Sequence, residues 1–330
     1  MPLVRTSSGK SFAATEGEAL LDAALHADVT LAYSCRTGRC STCKVRVRAG
    51  STIAIHDEIG LSQSEHEAGW ILACVRSAES DVDLEVDDLS GLQLFPAKTL
   101  PCRIHTIERV STDVVKVVLR LPPTSDFKYY PGQYIDVIGQ GGLRRSYSMA
   151  NAPTVTKHIE LHIRQVPSGA MSQYWFEQAK FNDLLRLNGP LGTFFLREIE
   201  GLDLIFLATG TGIAPVKAIL EGLAQRREQP PRSISVFWGG RVPNDLYWNA
   251  REVNVDNQFV RVLSQAHDTW TGARGYVQQA VLRQAREWDR VAVYACGSDT
   301  MIHSARQQLV EAGLDERRFH SDAFVCSASA

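Results

Sequence analysis

Cys35-Arg-Thr-Gly-Arg-Cys40-Ser-Thr-Cys43 is the stretch that decides how this 330-residue chain is read. Its three thiols stand as C-x4-C-x2-C, and Cys74 follows 31 residues after the last of them. A tight loop presenting three thiolates, with a distant segment supplying a fourth, is the spacing of plant-type [2Fe–2S] clusters. Cys35, Cys40, Cys43 and Cys74 are therefore read as the metal ligands. A zinc site would ask for a second Cys or His pair downstream of Cys40 and Cys43. A disulfide framework suits a short secreted chain rather than one of this length. Gly38, Ser41 and Thr42 are small enough for backbone amides to approach and donate to cluster sulfurs. Cys102, Cys296 and Cys326 lie too far along the chain to take part.

The bulk numbers exclude several classes. With 44% hydrophobic residues, 22% charged residues and a net charge of −2, the composition is that of a globular protein. No apolar run reaches the ~18 residues of a membrane span; the most apolar stretch, 204–216, is broken by Gly210, Gly212 and Pro215. The first residues lack a signal peptide's apolar core, and thiolate ligands need a reducing compartment, so a cytoplasmic location is expected. Charge is uneven. Residues 1–92 hold 8 Lys and Arg against 14 Asp and Glu, net −6, and the remainder holds 27 against 23, net +4. Neither half forms the basic, aromatic-laced surface of a nucleic-acid binder. Arg36, Arg39, Lys44, Arg46 and Arg48 border the cysteine loop, either as a docking rim for an acidic electron acceptor or as solvating charges.

Three modules follow from the periodicity. In residues 1–92, Thr15 and Glu18 form a capping-box pair that opens a helix with Ala19, Leu20, Ala23, Ala24 and Ala27 on one face. Strands are expected at Val45–Val47, Ile71–Cys74 and Val82–Val86, which gives an α+β ferredoxin-like domain; 89–98 reads as a linker. Residues 100–198 are strand-rich. Ile159, Leu161 and Ile163 alternate with Glu160, His162 and Arg164, and Gly and Pro punctuate the rest, as in an antiparallel β-barrel. Residues 199–330 alternate strand and helix: a strand at 204–208, a helix to about Arg226, strands at 234–238 and 291–295, and a helix from about Thr300. That rhythm predicts an α/β domain on a parallel sheet.

Gly210-Thr-Gly212 lies between a predicted strand and helix, where backbone amides at a helix start can hold phosphate. Pro215 replaces the third glycine of the usual G-x-G-x-x-G motif, and Gly239-Gly240-Arg241 follows the second strand in place of an acid, so NADH and NADPH both stay open. Arg241 is either a 2′-phosphate contact or a solvated loop residue.

The order of motifs resembles the ferredoxin–NADP reductase superfamily. It runs from Pro131-Gly132-Gln133-Tyr134 and Arg145-Ser-Tyr147-Ser148 to Gly210-Thr-Gly212 and Cys296-Gly297. The fused cluster module matches its oxygenase-reductase branch, and the whole length is similar to reductases that feed electrons into 3,6-dideoxysugar synthesis. Segments carrying the narrower likeness include Gly189-Pro-Leu-Gly-Thr-Phe-Phe195, Trp270-Thr-Gly272 and Ser321-Asp-Ala-Phe-Val325.

This resemblance implies a [2Fe–2S] domain over 1–92, an FAD-binding barrel over 100–198 and an NAD(P)H-binding domain over 199–330. It implies that Arg145 pairs with a flavin phosphate, that Tyr147 lies against the isoalloxazine and that Ser148 bonds near flavin N5. Arg164, Gly169, Met171 and Ser172 would hold the FAD pyrophosphate, with Ser146 and His162 in the same cofactor-binding set. Gly210, Thr211, Gly212 and Pro215 would cradle the nicotinamide nucleotide, with Cys296 and Gly297 beside its ring. Phe324 would shield the flavin. Read alone, Cys296 is equally a buried strand-end thiol and Phe324 a core aromatic. The expected activity is NAD(P)H oxidoreductase, passing electrons to a sugar dehydrase or oxygenase component. A flavin- and cluster-bearing redox sensor is the reading from a different class. A monomer without membrane association is expected.

Overall fold

The cysteine loop is framed by short strands. The computed structural model describes residues 1–86, 89, 91–226 and 229–324. Backbone contacts divide it into a unit of residues 1–94, to which 322–324 are counted, and a unit of residues 95–321. In the first unit, β1 (Leu3–Thr6), β2 (Ser11–Ala13), β3 (Lys44–Ala49), β5 (Trp70–Leu72) and β7 (Val82–Glu85) form a sheet in the order β2-β1-β7-β3-β5, while β4 (Thr52–Ala54) pairs with β6 (Arg76–Ala78). Helix α1 (Leu20–His26) buries Leu20, Leu21, Ala23 and Ala24 against Val4, Leu72, Val82 and Leu84; α2 (Gln63–Glu67) is a single capped turn.

Two local expectations shift. The Glu18 carboxylate does accept from the Thr15 amide at 3.2 Å. The helix nevertheless begins only at Leu20, because Gly17 sits at φ +77°, a left-handed conformation that no α-helix includes. Ala27 lies beyond the helix end and is exposed. The strand expected over 71–74 stops at Leu72, and the Val75 amide bonds to the Leu72 carbonyl at 3.0 Å, turning Cys74 out of the sheet.

In the second unit, six antiparallel strands run in the order β11-β10-β13-β8-β9-β12: β8 (Lys98–Ser111), β9 (Val114–Arg120), β10 (Tyr134–Ile138), β11 (Arg144–Ser148), β12 (His158–Arg164) and β13 (Leu184–Leu191). A bridge from Met149 to Leu161 links the two ends. Ile135, Val137, Leu119 and Leu161, all fully buried, fill the interior. The short α3 (Ala170–Gln173) continues into a wider turn that buries Trp175.

The remaining strands are β14 (Asp203–Thr209), β15 (Ser233–Gly240), β16 (Gln258–Leu263), β17 (Ala273–Arg274), β18 (Val291–Ser298) and β19 (Phe319–Phe324), in the order β17-β16-β15-β14-β18-β19. The pairs from β17 to β18 are parallel. Helices α4 (Ile213–Gln225), α5 (Val277–Leu282) and α6 (Asp299–Glu311) pack on this sheet. The chain moves outward from β14 to β17, then returns to place β18 on the other side of β14. The crevice at the carboxyl ends of β14 and β18 is therefore the topological switch point, where open α/β sheets bind ligands.

Burial under Tyr294 (ring centroids 4.8 Å apart), helped by the Arg197 and Arg306 charges, lowers the His320 pKa to about 3. The unfolded chain binds this proton near pH 6.5 and the folded chain does not, so stability is complete above pH 6.5 and falls as pH drops toward 3. The variant His320→Gln is expected to remove one proton from the pH dependence of the denaturant midpoint in that window, measured by urea unfolding at stepped pH.

Candidate functional site

The loop from Cys35 to Cys43 turns on itself through three left-handed residues, Arg36, Gly38 and Ser41. At Gly38 a Cβ would stand 2.2 Å from the Asp57 carbonyl oxygen, so only glycine fits beneath the 55–61 segment. The Gly60 amide bonds to the Gly38 carbonyl at 2.8 Å, and the Ser41 hydroxyl donates to the Gly60 carbonyl. The Glu58 carboxylate, almost fully buried, accepts from the Leu72 amide at 2.7 Å and from Arg76 at 2.7 and 2.8 Å. It thereby ties this strap to the turn that carries Cys74. Sequence reasoning passed over Glu58 and Arg76; their signal is contact between residues 18 apart in sequence.

Among the described residues, no three of His, Cys, Asp or Glu converge to hold a single ion. The four free thiols instead form two pairs, Cys35 with Cys40 and Cys43 with Cys74. In each pair a hydrogen bond from the partner thiol holds one sulfur's pKa down, Cys35 to about 5 and Cys74 below its ordinary value. The same bonds, together with burial, push Cys40 and Cys43 up. Amides of Cys35 and Thr37 point at Cys40 Sγ and Cys35 Sγ, both at 3.4 Å. Two thiol pairs with donors aimed at sulfur suit a two-iron cluster with four cysteine ligands. Cys40, Cys43 and Cys74 are buried and Cys35 is half-buried, so Cys35 marks the open side. The cationic rim is largely engaged: Arg36 pairs with Asp22, Lys44 with Glu65 at 3.1 Å and Arg48 with Glu85 at 2.5 Å, while Arg46 bonds to the Ala68 carbonyl.

On the barrel, β10 and β11 pair Tyr134 with Ser148 and Ile135 with Tyr147. Trp175 Nε1 donates to the Tyr147 hydroxyl at 3.0 Å and its ring meets Tyr147 edge-on, which fixes the tyrosine plane. Burial raises the Tyr147 pKa to about 12, so the phenol stays protonated. Asp136 accepts from Ser146 at 2.6 Å and pairs with Arg144 at 3.3 Å, which leaves Arg145 exposed at the strand's outer edge. Gly139, beyond the end of β10, lies over the Met171 side chain. Met171 is buried in the barrel core, and the Ser172 hydroxyl accepts from the Val166 amide at 2.7 Å. Gly169 is the cap of the four-residue α3.

At the switch point the two glycine motifs meet. Ala208 on β14 is in register with Cys296 on β18. A Cβ at Gly212 would fall 2.2 Å from the Cys296 carbonyl oxygen, and one at Gly297 2.2 Å from Thr209 Oγ1, which already accepts from the Ser298 amide. Thr211 and Pro215 are buried at the start of α4. Cys296 is fully buried in the module's apolar core, so it presents backbone to the crevice and its thiol to the interior. Arg241 is exposed, and its amide donates to the buried Asp245 carboxylate at 2.8 Å. Phe324 ends β19, 37% exposed; Val325 and Cys326 lie outside the described residues.

His162 does not offer a free ring nitrogen. Nε2 is 2.9 Å from Glu160 and Nδ1 is 3.1 Å from the Tyr247 hydroxyl. Arg164 pairs through Nε with Asp113 at 2.8 Å and lays Nη1 against Gly210, so it stands where the barrel meets the glycine loop. Lys217, Tyr247 and Asp113 were not legible as site neighbours, because their positions depend on tertiary packing.

The thiol-pair loop, the antiparallel barrel and the parallel sheet each correspond to a separate family match. Residues 4–79 match the 2Fe-2S iron-sulfur cluster binding domain, 101–196 the oxidoreductase FAD-binding domain and 206–307 the oxidoreductase NAD-binding domain. The chain is 41% identical over 326 residues to the CDP-6-deoxy-L-threo-D-glycero-4-hexulose-3-dehydrase reductase of Yersinia pseudotuberculosis, covering 97% of each chain. It is 31% identical to reductase component 2 of the terephthalate 1,2-dioxygenase of a Comamonas species, covering 96% of this chain and 94% of that one. The crystal structure of an Amycolatopsis cytochrome P450 reductase superposes with a TM-score of 0.76 at 28% identity, covering 98% and 99% of the two chains. The chain belongs to the [2Fe–2S] branch of the ferredoxin–NADP reductase family. It is an NAD(P)H oxidoreductase with FAD and a [2Fe–2S] cluster as its cofactors, and it delivers electrons to a protein partner.

Two glycines test this geometry. Gly38→Ala is expected to abolish the cluster's visible absorbance while flavin content is retained. Gly212→Ala is expected to raise the KM for the nicotinamide nucleotide at least about tenfold, ~1.4 kcal/mol, with flavin content unchanged; steady-state kinetics read this directly.

Proposed function

We propose that this reductase supplies electrons to the dehydrase step of a 3,6-dideoxysugar pathway acting on a CDP-linked 6-deoxyhexulose. The observation that carries this is the 41% identity across 97% of both chains to a CDP-6-deoxy-L-threo-D-glycero-4-hexulose-3-dehydrase reductase, against 31% for a dioxygenase reductase component. The second reading, reductase of a ring-hydroxylating oxygenase, rests on that 31% likeness. We also propose that the protein is a cytoplasmic monomer; among the described residues no helix is long and apolar enough to cross a membrane.

When bound, the nicotinamide nucleotide supplies a hydride, FAD takes two electrons at once and releases them singly, and the cluster carries one at a time. The chain's own residues bind and orient. Arg145, exposed on β11, is suited to a charge-assisted contact with flavin phosphate, and the amides at Met171 and Ser172 to the pyrophosphate. Tyr147, its hydroxyl taken by Trp175, offers a fixed ring plane, with Ser148 next on the same strand. Gly210, Thr211 and Gly212 offer amides at the start of α4, and the Gly212–Cys296 approach keeps that loop narrow. Buried Cys296 has a spacing role. The half-buried Cys35 is the natural exit, and a rim already paired internally points to contact by shape more than by net charge.

The deciding experiment offers the reduced protein either the CDP-hexulose dehydrase or a dioxygenase component, and measures product. Turnover with the dehydrase alone supports the first reading, and turnover with the oxygenase alone replaces it. In the same assay Cys40→Ser is expected to lose transfer to the partner while keeping NAD(P)H-dependent ferricyanide reduction at the flavin. Loss of both activities would show that the cluster and flavin functions are not separable.

A further inference from the structure

Strand β12 has two faces with different tasks. Ile159, Leu161 and Ile163 fill the barrel core, and the alternate residues Glu160, His162 and Arg164 all turn toward the nucleotide module. Glu160 Oε1 is 3.2 Å from Lys217 Nζ on α4, and Lys217 also pairs with Glu221 at 2.6 Å and donates to the Ala150 carbonyl at 3.1 Å. Glu221 in turn accepts from the Ala152 amide at 2.9 Å. His162 lies edge-on to Tyr247 with ring centroids 5.4 Å apart, Tyr247 lies edge-on to Trp238, and Trp238 Nε1 donates to the Gly210 carbonyl at 3.0 Å. Arg164 reaches the same Gly210 directly. Two separate routes thus run from β12 to the glycine loop.

The hydrogen-bond roles are fixed by chemistry. Glu160 is held ionised, its pKa lowered by His162 and Lys217 against the effect of burial, and a carboxylate can only accept. Nε2 of His162 therefore carries the proton and Nδ1 accepts from the Tyr247 hydroxyl. Burial, with the Lys217 and Lys116 charges, keeps the ring neutral against the pull of Glu160. A cavity of about 310 Å³ adjoins the network, lined from the barrel by Lys116, Glu160 and His162 and from the nucleotide module by Lys217, Glu221 and Tyr247. Such a polar, incompletely filled contact lets modules move unless specific pairs hold them.

We propose that Glu160, His162, Lys217 and Tyr247 form a clamp that sets the glycine loop against the barrel, and so sets how the nicotinamide meets the flavin. They are positioning residues for hydride transfer. The inference rests on the nucleotide binding at Gly210–Gly212 and the flavin on the barrel.

The test uses the holoprotein with Tyr247→Phe, which removes one oxygen, with Lys217→Met, and with Lys217→Arg as the conservative control. Flavin and cluster content should match wild type. Anaerobic bleaching of the flavin by NADH is expected to slow about tenfold or more in the first two variants, since small misplacements of reactants cost factors of this size. Reoxidation of the photoreduced protein by cytochrome c should stay at the wild-type rate, and Lys217→Arg should restore most of the bleaching rate. Hydrogen exchange at the amides of 213–225, read without nucleotide, should quicken in Tyr247→Phe. Bleaching within twofold of wild type with unchanged exchange would overturn the clamp, as would equal slowing of bleaching and reoxidation. Wild-type protein that neither NADH nor NADPH bleaches, with exchange still responding to Tyr247→Phe, would instead overturn the placement of the nucleotide on which the clamp rests.

Discussion

The second unit depends on a strand that makes contacts from both faces. Strand β12 supplies apolar side chains to the barrel and charged ones to the nucleotide module, so one run of seven residues is both wall and contact surface. Each charge on the second face is matched: Glu160 by Lys217, Arg164 by Asp113, and neutral His162 by a donor and an acceptor. Unmatched charges there would carry the desolvation cost of burial without compensation. The matching leaves Gly210 within reach of both Arg164 and Trp238, next to a crevice whose width is set by Gly212 against the Cys296 carbonyl.

The cysteine loop is governed by a similar economy of space. Three left-handed residues curl it, Gly38 lets the Asp57 carbonyl pass beneath, and the Glu58–Arg76 pair holds the strap and the Cys74 turn together. Three of the four sulfurs are buried and the fourth is half-open. Electrons leaving the protein by that side need no large opening. Four of the cations that border the loop, Arg36, Lys44, Arg46 and Arg48, are engaged by Asp22, Glu65, a backbone carbonyl and Glu85, which moderates any long-range attraction of an acidic partner.

Much of this was legible in the chain itself, for identifiable reasons. The spacing of Cys35, Cys40, Cys43 and Cys74 is local chemistry, and the rhythm of strands and helices after residue 199 is local periodicity. The rhythm reappears in the parallel sheet observed. Errors came where one residue's backbone overrode a pattern: Gly17 delayed the first helix, and the turn after Leu72 cut a strand short. The alternation of 159–164 was read correctly, but periodicity alone cannot tell a face turned to solvent or cofactor from one turned to a neighbouring module. His162, expected in the cofactor-binding set, has its two ring nitrogens engaged by Glu160 and Tyr247. Tyr247, Lys217, Glu58 and Asp113 carry no motif, and only the fold brings them to their partners.

The central claim is that electrons from a nicotinamide nucleotide reach the four-cysteine cluster inside this one chain. Anaerobic addition of NADH or NADPH to the purified protein, followed by freezing and low-temperature electron paramagnetic resonance, tests it most directly. The account predicts bleaching of the visible spectrum and the appearance of a reduced [2Fe–2S] signal with no other reductant present. A bleached flavin beside a cluster that stays silent, yet gives its signal on adding dithionite, would contradict it.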